Sequence, residues 1–336
     1  MGVTIKDVAR TANVSVATVS RVLNKKTNVS EDAVNAVNAA VEELGYNPNY
    51  LGRDLRKSET RRILAIVSSM GHSFYSDVLI GMERAARAND YDVLVVTNND
   101  DPVHEMHLLG MLFSRSVDGA VLLAPKLDAK VLSGLAENYN IAVCLERLDN
   151  CKALTVTIDN VRAGRDAVSY LIRKGHKRIG LISTEIRSQS SVDREQGYIN
   201  ALKENGIPVE SEYIYYGGYD HESGVKGSAY FLGLKFPPTA VFCISDTVAI
   251  GAMSAAMACG VKVGKEMMFF GFDNITFSRV FKPHLSTVEQ PCILQGKTVV
   301  EKLVRNIKTE DPLERDNGLY MLPHSLILRE STNDSR

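Results

Sequence analysis

The stretch VTIKDVARTANVSVATVSRVLN, residues 3–24, decides how this chain reads. Thr4 stands where an N-cap belongs, and Asp7 falls in the first turn of the helix it would cap. Ile5, Val8, Ala9 and Ala12 then recur at helical spacing and give one apolar face. Asn13-Val14 supplies a turn, and Ser15 is placed to cap a second helix running to about Asn24. In that second helix Val19, Val22 and Leu23 point one way, and Val16, Ala17, Ser20 and Arg21 point the other. Further on, Ser30 caps a third helix with Glu31 and Asp32 at its positive end. Ala33, Val34, Val37, Ala40, Val41 and Leu44 form its buried stripe, and Gly45 is its stop. Two short helices joined by a tight turn and braced by a third make a helix-turn-helix, whose second helix can enter the major groove of DNA.

The outward face of that helix carries the chemistry. Arg21 can grip guanine O6 and N7, or a phosphate. Ser15, Thr18 and Ser20 can contact phosphates, while Val16 and Ala17 offer only apolar contact, for example to a thymine methyl, or are plain surface. Thr4 and Asn24 complete the candidate DNA-contacting set in the head. The net charge of −1 alone argues against a nucleic-acid binder, but its distribution argues the other way. Residues 1–30 hold five Lys/Arg against one Asp/Glu, and residues 1–62 hold ten against seven, leaving 29 against 33 for the rest. A small basic head on a mildly acidic body is the footprint of a modular DNA binder.

Asn47-Pro48-Asn49 ends the helical pattern, and a short basic linker with some helical tendency runs from Tyr50 to Arg62. From there the texture changes. Ile63–Ser68 is a continuous apolar run, as a buried parallel strand requires. Strands at Asp92–Thr97, Gly119–Leu123, Ile141–Leu145, Val156–Ile158, Ile179–Ser183, Ala240–Ile244 and Met268–Gly271 follow. Helical stretches at Asp77–Ala88, Val103–Phe113 and Ala163–Lys174 fall between them. This alternation predicts an α/β fold with parallel sheets covered by helices, and too many strands for one ordinary sheet. Two doubly wound lobes are expected. With 336 residues, 45% of them hydrophobic and 24% charged, the chain has material for two or three domains.

Several classes are set aside. No apolar run approaches a membrane span. The start MGVTIKDVAR has no apolar h-region, so no secretory signal is expected and the location implied is cytoplasmic. Cys144, Cys151, Cys243, Cys259 and Cys292 show neither CxxC spacing nor zinc-like His pairing and read as free thiols, with no metal. No Walker motif and no GxGxxG after the first strand appears, so no cofactor is indicated. Asp159 and Asp273 could be paired carboxylates of a hydrolase, but no nucleophile, metal cluster or phosphate loop lies near them in sequence, and Asp159 suits a helix cap. The chain therefore reads as a non-enzyme with no catalytic residues. An extracytoplasmic binding protein would have a signal peptide and no helix-turn-helix, the reverse of this sequence.

Residues 3–24, together with Val29–Pro48 ending in LGYNPN, resemble the N-terminal signature of the lac and galactose repressor family. The likeness continues in GHKRIGLI (175–182), TAVFCISDTVAIGAM (239–253) and GFDN (271–274), so it spans nearly the whole chain. It implies a helix-turn-helix domain at 1–47, a hinge helix and linker at 48–61, and an effector-binding and dimerisation domain at 62–330. That body is implied to resemble periplasmic binding proteins, with lobes of roughly 62–160 plus 291–321 and 161–290 plus 322–330. Asn49–Lys57 resembles the family's hinge helix, which folds on operator DNA and inserts a leucine into the minor groove. Leu55 falls at that position or is simply a linker leucine, and an apolar wedge there would kink the duplex. Gly52 and Asp54 depart from the pattern, and Arg53 and Arg56 with Lys57 compensate through phosphate contact.

The resemblance also places an effector in the crevice at the carboxyl ends of the strands. The matching positions are His72, Ser73, Phe74 and Tyr75 after the first strand, Glu146 and Arg147 after the fourth, Arg194 in VDREQGY, Tyr219, Ser245 and Asp246, and Asp273. An arginine with carboxylates and an aromatic ring suits sugar hydroxyls and a sugar's apolar face. Each has a plainer reading. Asp246 and Asp273 could cap helices, Tyr219 could be loop surface, and Glu146 and Arg147 could pair with each other. A sugar or sugar derivative is the family's commonest effector. LGRDLRKSETRRI, PPTAVFCISD and GFDN also resemble the cytidine repressor branch, which makes a nucleoside an alternative, and the catabolite-control branch uses a phosphoprotein corepressor. Glu146-Arg147 departs from these and would admit a charged or highly polar ligand. The expected partners are a pseudo-palindromic operator duplex and a second copy of the chain, since inverted half-sites call for two-fold symmetry. The tail RESTNDSR lacks heptads, so no tetramerising coil is expected.

Overall fold

The structure, a computed structural model, describes residues 3–23, 29–46, 59–71 and 74–332. It divides into a head, Met1–Glu59, and a body, Thr60–Arg336.

In the head, α1 (Ile5–Thr11), α2 (Val16–Leu23) and α3 (Glu31–Leu44) surround a small core of Val8, Ala9, Ala12, Val19, Val37 and Ala40. The Asp7 carboxylate accepts from both the Thr4 N–H (3.0 Å) and the Thr4 hydroxyl (2.6 Å), fixing the start of α1. Those two bonds hold the Asp7 carboxyl below the usual carboxylate range. Asn13, at φ +52°, makes the tight turn, and the Ser15 Oγ accepts from the Thr18 N–H to cap α2. Gly45 ends α3 in the left-handed conformation that glycine adopts at little cost.

The body holds two six-stranded sheets. The first contains β1 (Arg62–Val67), β2 (Asp92–Thr97), β3 (Gly119–Leu122), β4 (Ile141–Cys144), β5 (Leu154–Ile158) and β11 (Leu319–Leu322), in the order β11-β5-β4-β3-β1-β2 and all parallel. Its helices are α4 (Phe74–Ala88), α5 (Pro102–Phe113), α6 (Ala129–Ala136) and α11 (Cys292–Lys308). The second sheet contains β6 (Ile179–Thr184), β7 (Ile214–Gly217), β8 (Ala240–Cys243), β9 (Met268–Asp273), β10 (Ser286–Glu289) and β12 (Ser325–Ile327), in the order β12-β10-β9-β8-β6-β7, with only β12 antiparallel. α7 (Asn160–Arg173), α8 (Gln189–Glu204), α9 (His221–Leu232) and α10 (Asp246–Ala258) cover it. The chain crosses between lobes three times, after β5, after β10 and after β11.

Buried strands such as Ile63–Val67, each fully excluded from water, form the centre of the first lobe, with apolar clusters on both sheet faces. The second lobe is built the same way. Three helix pairs are set by reciprocal glycines. A Cβ on Gly81 would overlap the Ile293 carbonyl oxygen, and one on Gly296 that of Val78, across α4 and α11. Gly224 and Gly251 do the same for α9 and α10, against Val248 and His221, and Gly164 and Gly197 for α7 and α8, against Arg194 and Val161. The α7–α8 lock bears on function because it holds the backbone of Arg194 at one fixed depth in the second lobe.

Candidate functional site

The described face of α2 presents Ser15, Val16, Ala17 and Arg21 exposed, with Thr18 and Ser20 half-buried. Ser15 and Thr18 also share a hydroxyl–hydroxyl bond of 2.9 Å, and the Thr4 hydroxyl is committed to Asp7. The helix therefore divides into an inward apolar face and an outward face on which Ser15 and Arg21 stand beside Val16 and Ala17. Asn24, Arg53, Leu55 and Arg56 lie outside the described residues, as do His72 and Ser73.

In the body, a cavity of about 130 Å³ lies between the lobes at the carboxyl ends of the strands. Phe74, Tyr75 and Glu146 reach it from the first lobe, and Arg194, Tyr219, Ser245 and Asp273 from the second. Arg194 is 6% exposed. Its Nε donates to Asn160 Oδ1 at 3.0 Å, and Nη1 donates to the Ile244 carbonyl at 2.6 Å. Nη1 also stands 3.6 Å from Asp273 Oδ1, and the guanidinium lies 3.7 Å over the Phe272 ring. Its Nε, its Nη1 and one face of its plane are thus held, which fixes its direction before any ligand arrives.

Asp273 ends β9 at φ +112°, and Leu145 follows β4 at φ +76°. These are non-glycine residues in the left-handed region, one from each lobe, and each costs about 1–3 kcal/mol. At Leu145 the turn redirects the chain so that Glu146 crosses the cleft to the start of α8. There its carboxylate accepts from the Ser190 N–H (2.9 Å) and the Ser190 hydroxyl (2.6 Å), at the positive end of a helix dipole. Burial nonetheless pushes the Glu146 carboxyl up, opposed by the Ser190 bonds.

Two tyrosines face the same space. Tyr75 bonds Ser68 at 3.1 Å and Tyr219 bonds Ser188 at 3.4 Å. Burial raises both phenols, Tyr75 to about 12, so both stay neutral and can donate or accept. Lys126 also lines the cavity, paired with Asp100 at 2.7 Å. Asp100, Lys126, Ser188 and Ser190 carry no local sequence signal. They become wall residues only because the two lobes meet.

Two placements, those of Asp246 and Arg147, differ from the sequence reading. Asp246 neither lines the cavity nor caps a helix. Ser245 is the cap, through the Val248 N–H, and Asp246 is wholly buried beneath, accepting from Thr287 Oγ1 (2.6 Å) and the Ile275 N–H (2.9 Å). Asp273 caps no helix either, because its carboxylate accepts from Gln290 Nε2 at 2.8 Å. Arg147 turns away from Glu146 and from the cavity, toward Asp149 (3.3 Å) and Asp193 (3.7 Å). Asp159 caps α7 through the Arg162 N–H, which occupies the group a paired-carboxylate hydrolase would use. Among the described residues no cluster of three or more His, Cys, Asp or Glu side chains could hold a metal, and no helix is long and apolar enough to cross a membrane.

Burial pushes the Asp273 carboxyl up to about 6, with Arg194 and the Gln290 bond opposing. Asp246 is raised well above the usual range by burial and then by the like charge of Asp273. Between the unfolded value of about 4 and the folded one, the native chain holds a proton that the unfolded chain has released. The stability from that proton is fully present below the unfolded value and is lost as pH rises through the folded one. The Tm of the wild-type chain is therefore expected to fall more steeply between about pH 4 and about pH 6 than that of Asp273→Asn. Parallel profiles from differential scanning calorimetry would show that this carboxyl carries no such linkage.

A helix-turn-helix head on a two-lobed body with a polar cavity between the lobes defines a ligand-responsive DNA-binding regulator. Residues 4–49 match the model of bacterial regulatory proteins of the lacI family. Residues 60–319 match that of periplasmic binding proteins and the sugar binding domain of the LacI family. The chain belongs to the LacI family and is a transcriptional regulator, not an enzyme. It is 36% identical over 332 residues to the HTH-type transcriptional repressor CytR of Escherichia coli (strain K12), covering 98% of this chain and 96% of that one. It is 34% identical over 334 residues to the HTH-type transcriptional regulator RegA of Clostridium saccharobutylicum, covering 99% and 100%. A crystal structure of the lac repressor dimer bound to operator and the anti-inducer ONPF superposes with a TM-score of 0.89 at 26% identity, covering 99% of this chain and 100% of that one.

Proposed function

We propose that this regulator is a cytoplasmic repressor that binds a pseudo-palindromic operator as a homodimer, and that a neutral, polyhydroxylated molecule, a sugar first of all, controls it from the cleft. In this reading the head at 1–47 reads DNA, the linker at 48–61 joins it to the body, and the body at 62–330 binds effector and partner subunit. The observation that carries the effector class is the charge pairing of the cavity wall. Lys126 faces Asp100 and Arg194 faces Asp273, so each wall cation already has a carboxylate. Glu146 adds a further acid, and a phosphorylated ligand would meet more negative than positive charge. Hydroxyl groups suit the set well, because the carboxylates accept, the guanidinium donates, and the tyrosines do either. Phe74, Tyr75 and Tyr219 also favour a second reading, a nucleoside whose base stacks on an aromatic ring.

A dimer is supported by exposed apolar side chains on both lobes, Ile80, Ile293 and Leu294 on one, Phe277 and Val280 on the other. The proposal is tested by selecting duplexes from a random library with the chain and titrating the best of them with wild type and Arg21→Ala. The selected sites should be inverted repeats. Because Arg21 is exposed, Arg21→Ala should keep the wild-type Tm and lose about 1–3 kcal/mol of binding. Selection of no sequence, or equal affinity of the two proteins, would refute the reading of α2.

A further inference from the structure

Arg147 is the cleft residue with the least settled surroundings. Its guanidinium Nη2 is shared between Asp149 of its own lobe, at 3.3 Å, and Asp193 of the facing lobe, at 3.7 Å. Its Nε is buried with no hydrogen-bond partner among the described residues. The two carboxylates differ in kind. Asp149 is 65% exposed and lies two residues away on the same turn, so it is within reach whatever the lobes do. Asp193 is 12% exposed and is held from its own helix, where Gln189 Nε2 donates to its Oδ1 at 2.7 Å, leaving Oδ2 toward Arg147. Only apposition of the lobes brings that oxygen near the guanidinium.

The neighbouring residue works on the same helix. Glu146 holds Ser190, and Arg147 faces Asp193 one turn further along α8, so two successive residues of the first lobe meet two positions of the second that are neighbours on one helix face. We propose that Arg147 and Asp193 are positioning residues for the effector response, and that Arg147 exchanges between Asp149 when the lobes part and Asp193 when they close. The inference rests on the cleft being the effector site. The exchange has a clear physical consequence. A cation that loses one carboxylate and finds another pays little net electrostatic energy in either direction, so the two lobe arrangements stay close in free energy. A ligand can shift such an equilibrium with modest differential affinity, whereas a strongly locked cleft would need far more.

The two aspartates therefore act with opposite signs. Asp193→Asn removes the partner available only in the closed arrangement and should raise the open-to-closed ratio. Asp149→Asn removes the competitor and should lower it. Each change is expected to be about two- to fivefold, the scale of a partly exposed ion pair. On an Arg147→Gln background both effects should vanish, because the aspartates then have no shared cation to compete for. Pulsed electron–electron resonance between nitroxides at Lys130→Cys and Lys203→Cys reads the interlobe distance directly, in the full chain with Cys151 and Cys259 replaced by serine. Neither effector nor DNA is needed, so failure here is distinct from failure of the effector assignment. Opposite shifts that disappear with Arg147→Gln support the exchange. Shifts of the same sign, no shift, or shifts that persist without Arg147 overturn it. Asp149 is exposed, so its variant reports even where Asp193→Asn folds poorly.

Discussion

The chain carrying Arg194→Ala is expected to bind operator DNA as the wild type does and to lose effector affinity by about 100-fold or more, the worth of one or two charge-assisted hydrogen bonds. The reason lies in how fully the residue is held. Asn160, the Ile244 carbonyl, Asp273 and the Phe272 ring all fix the guanidinium, and none of these contacts belongs to the head. The substitution also leaves a buried carboxylate without its cation, which costs about 3–5 kcal/mol of stability. A companion variant separates the two effects. Asp273→Asn removes a charge that burial already disfavours, and its side-chain oxygen can still accept from Gln290. It also takes the counter-charge from Arg194, which keeps its bonds to Asn160 and the Ile244 carbonyl, so it should lose less stability than Arg194→Ala and still bind effector poorly. Isothermal titration with the ligand found by thermal-shift screening measures both variants. Wild-type affinity in either one would remove the Arg194–Asp273 pair from the site.

The second large effect concerns the helix locks. Gly251→Val places a branched side chain where a Cβ alone would overlap the His221 carbonyl oxygen. That contact is backbone, so no side chain can move aside, and α9 must lift from α10. A loss beyond about 4 kcal/mol is expected, in the range reserved for severe core changes. Gly134, inside α6, is the opposite case. Nothing lies within 4 Å of its absent Cβ, and Gly134→Ala should stabilise by about 0.4–1 kcal/mol through the unfolded chain. Urea unfolding of the two variants tests the claim, and similar midpoints would contradict it.

The contrast between these glycines also shows what a sequence can and cannot carry. Gly134 and Gly251 both sit in helices, and no local pattern separates them, because the distinction depends on which helix lies opposite. The strands followed the same logic. β1 and β8 are continuous apolar runs and were legible as buried strands. β10 is Ser-Thr-Val-Glu, yet Ser286 and Thr287 are fully buried because Arg329, Thr332 and Asp246 satisfy their hydroxyls. A polar strand buried inside a sheet cannot be read from hydrophobicity. β7 and β11 are four-residue edge strands with partly exposed faces, too short for a periodic signal.

In the described head, the starts of α1 and α2 and the apolar spacing were legible because they are local, whereas Ser30 stands at the N-cap of α3 without a side-chain cap bond. In the cleft, Arg194 and Asp273 could be named from motifs, but their neighbours could not. Ser190 matters because Glu146 reaches it from the other lobe, and Lys126 because it pairs with Asp100 from a different strand end of its own lobe. Arg147, named beside Glu146, turned outward for a similar reason. Asp193 offers it a carboxylate that lies 46 residues away in sequence and 3.7 Å away in space.

The central claim is that one molecule couples the cleft to the DNA-reading head. It is tested most directly by titrating the selected operator duplex with the 336-residue chain, with and without the small molecule that most raises its Tm, in wild type and in Arg194→Ala. The ligand is expected to change wild-type operator affinity by about tenfold or more, within the usual span of allosteric coupling, and to leave that of Arg194→Ala unchanged. A ligand that binds the wild-type cleft and stabilises the chain, yet leaves operator affinity as it was, would contradict it.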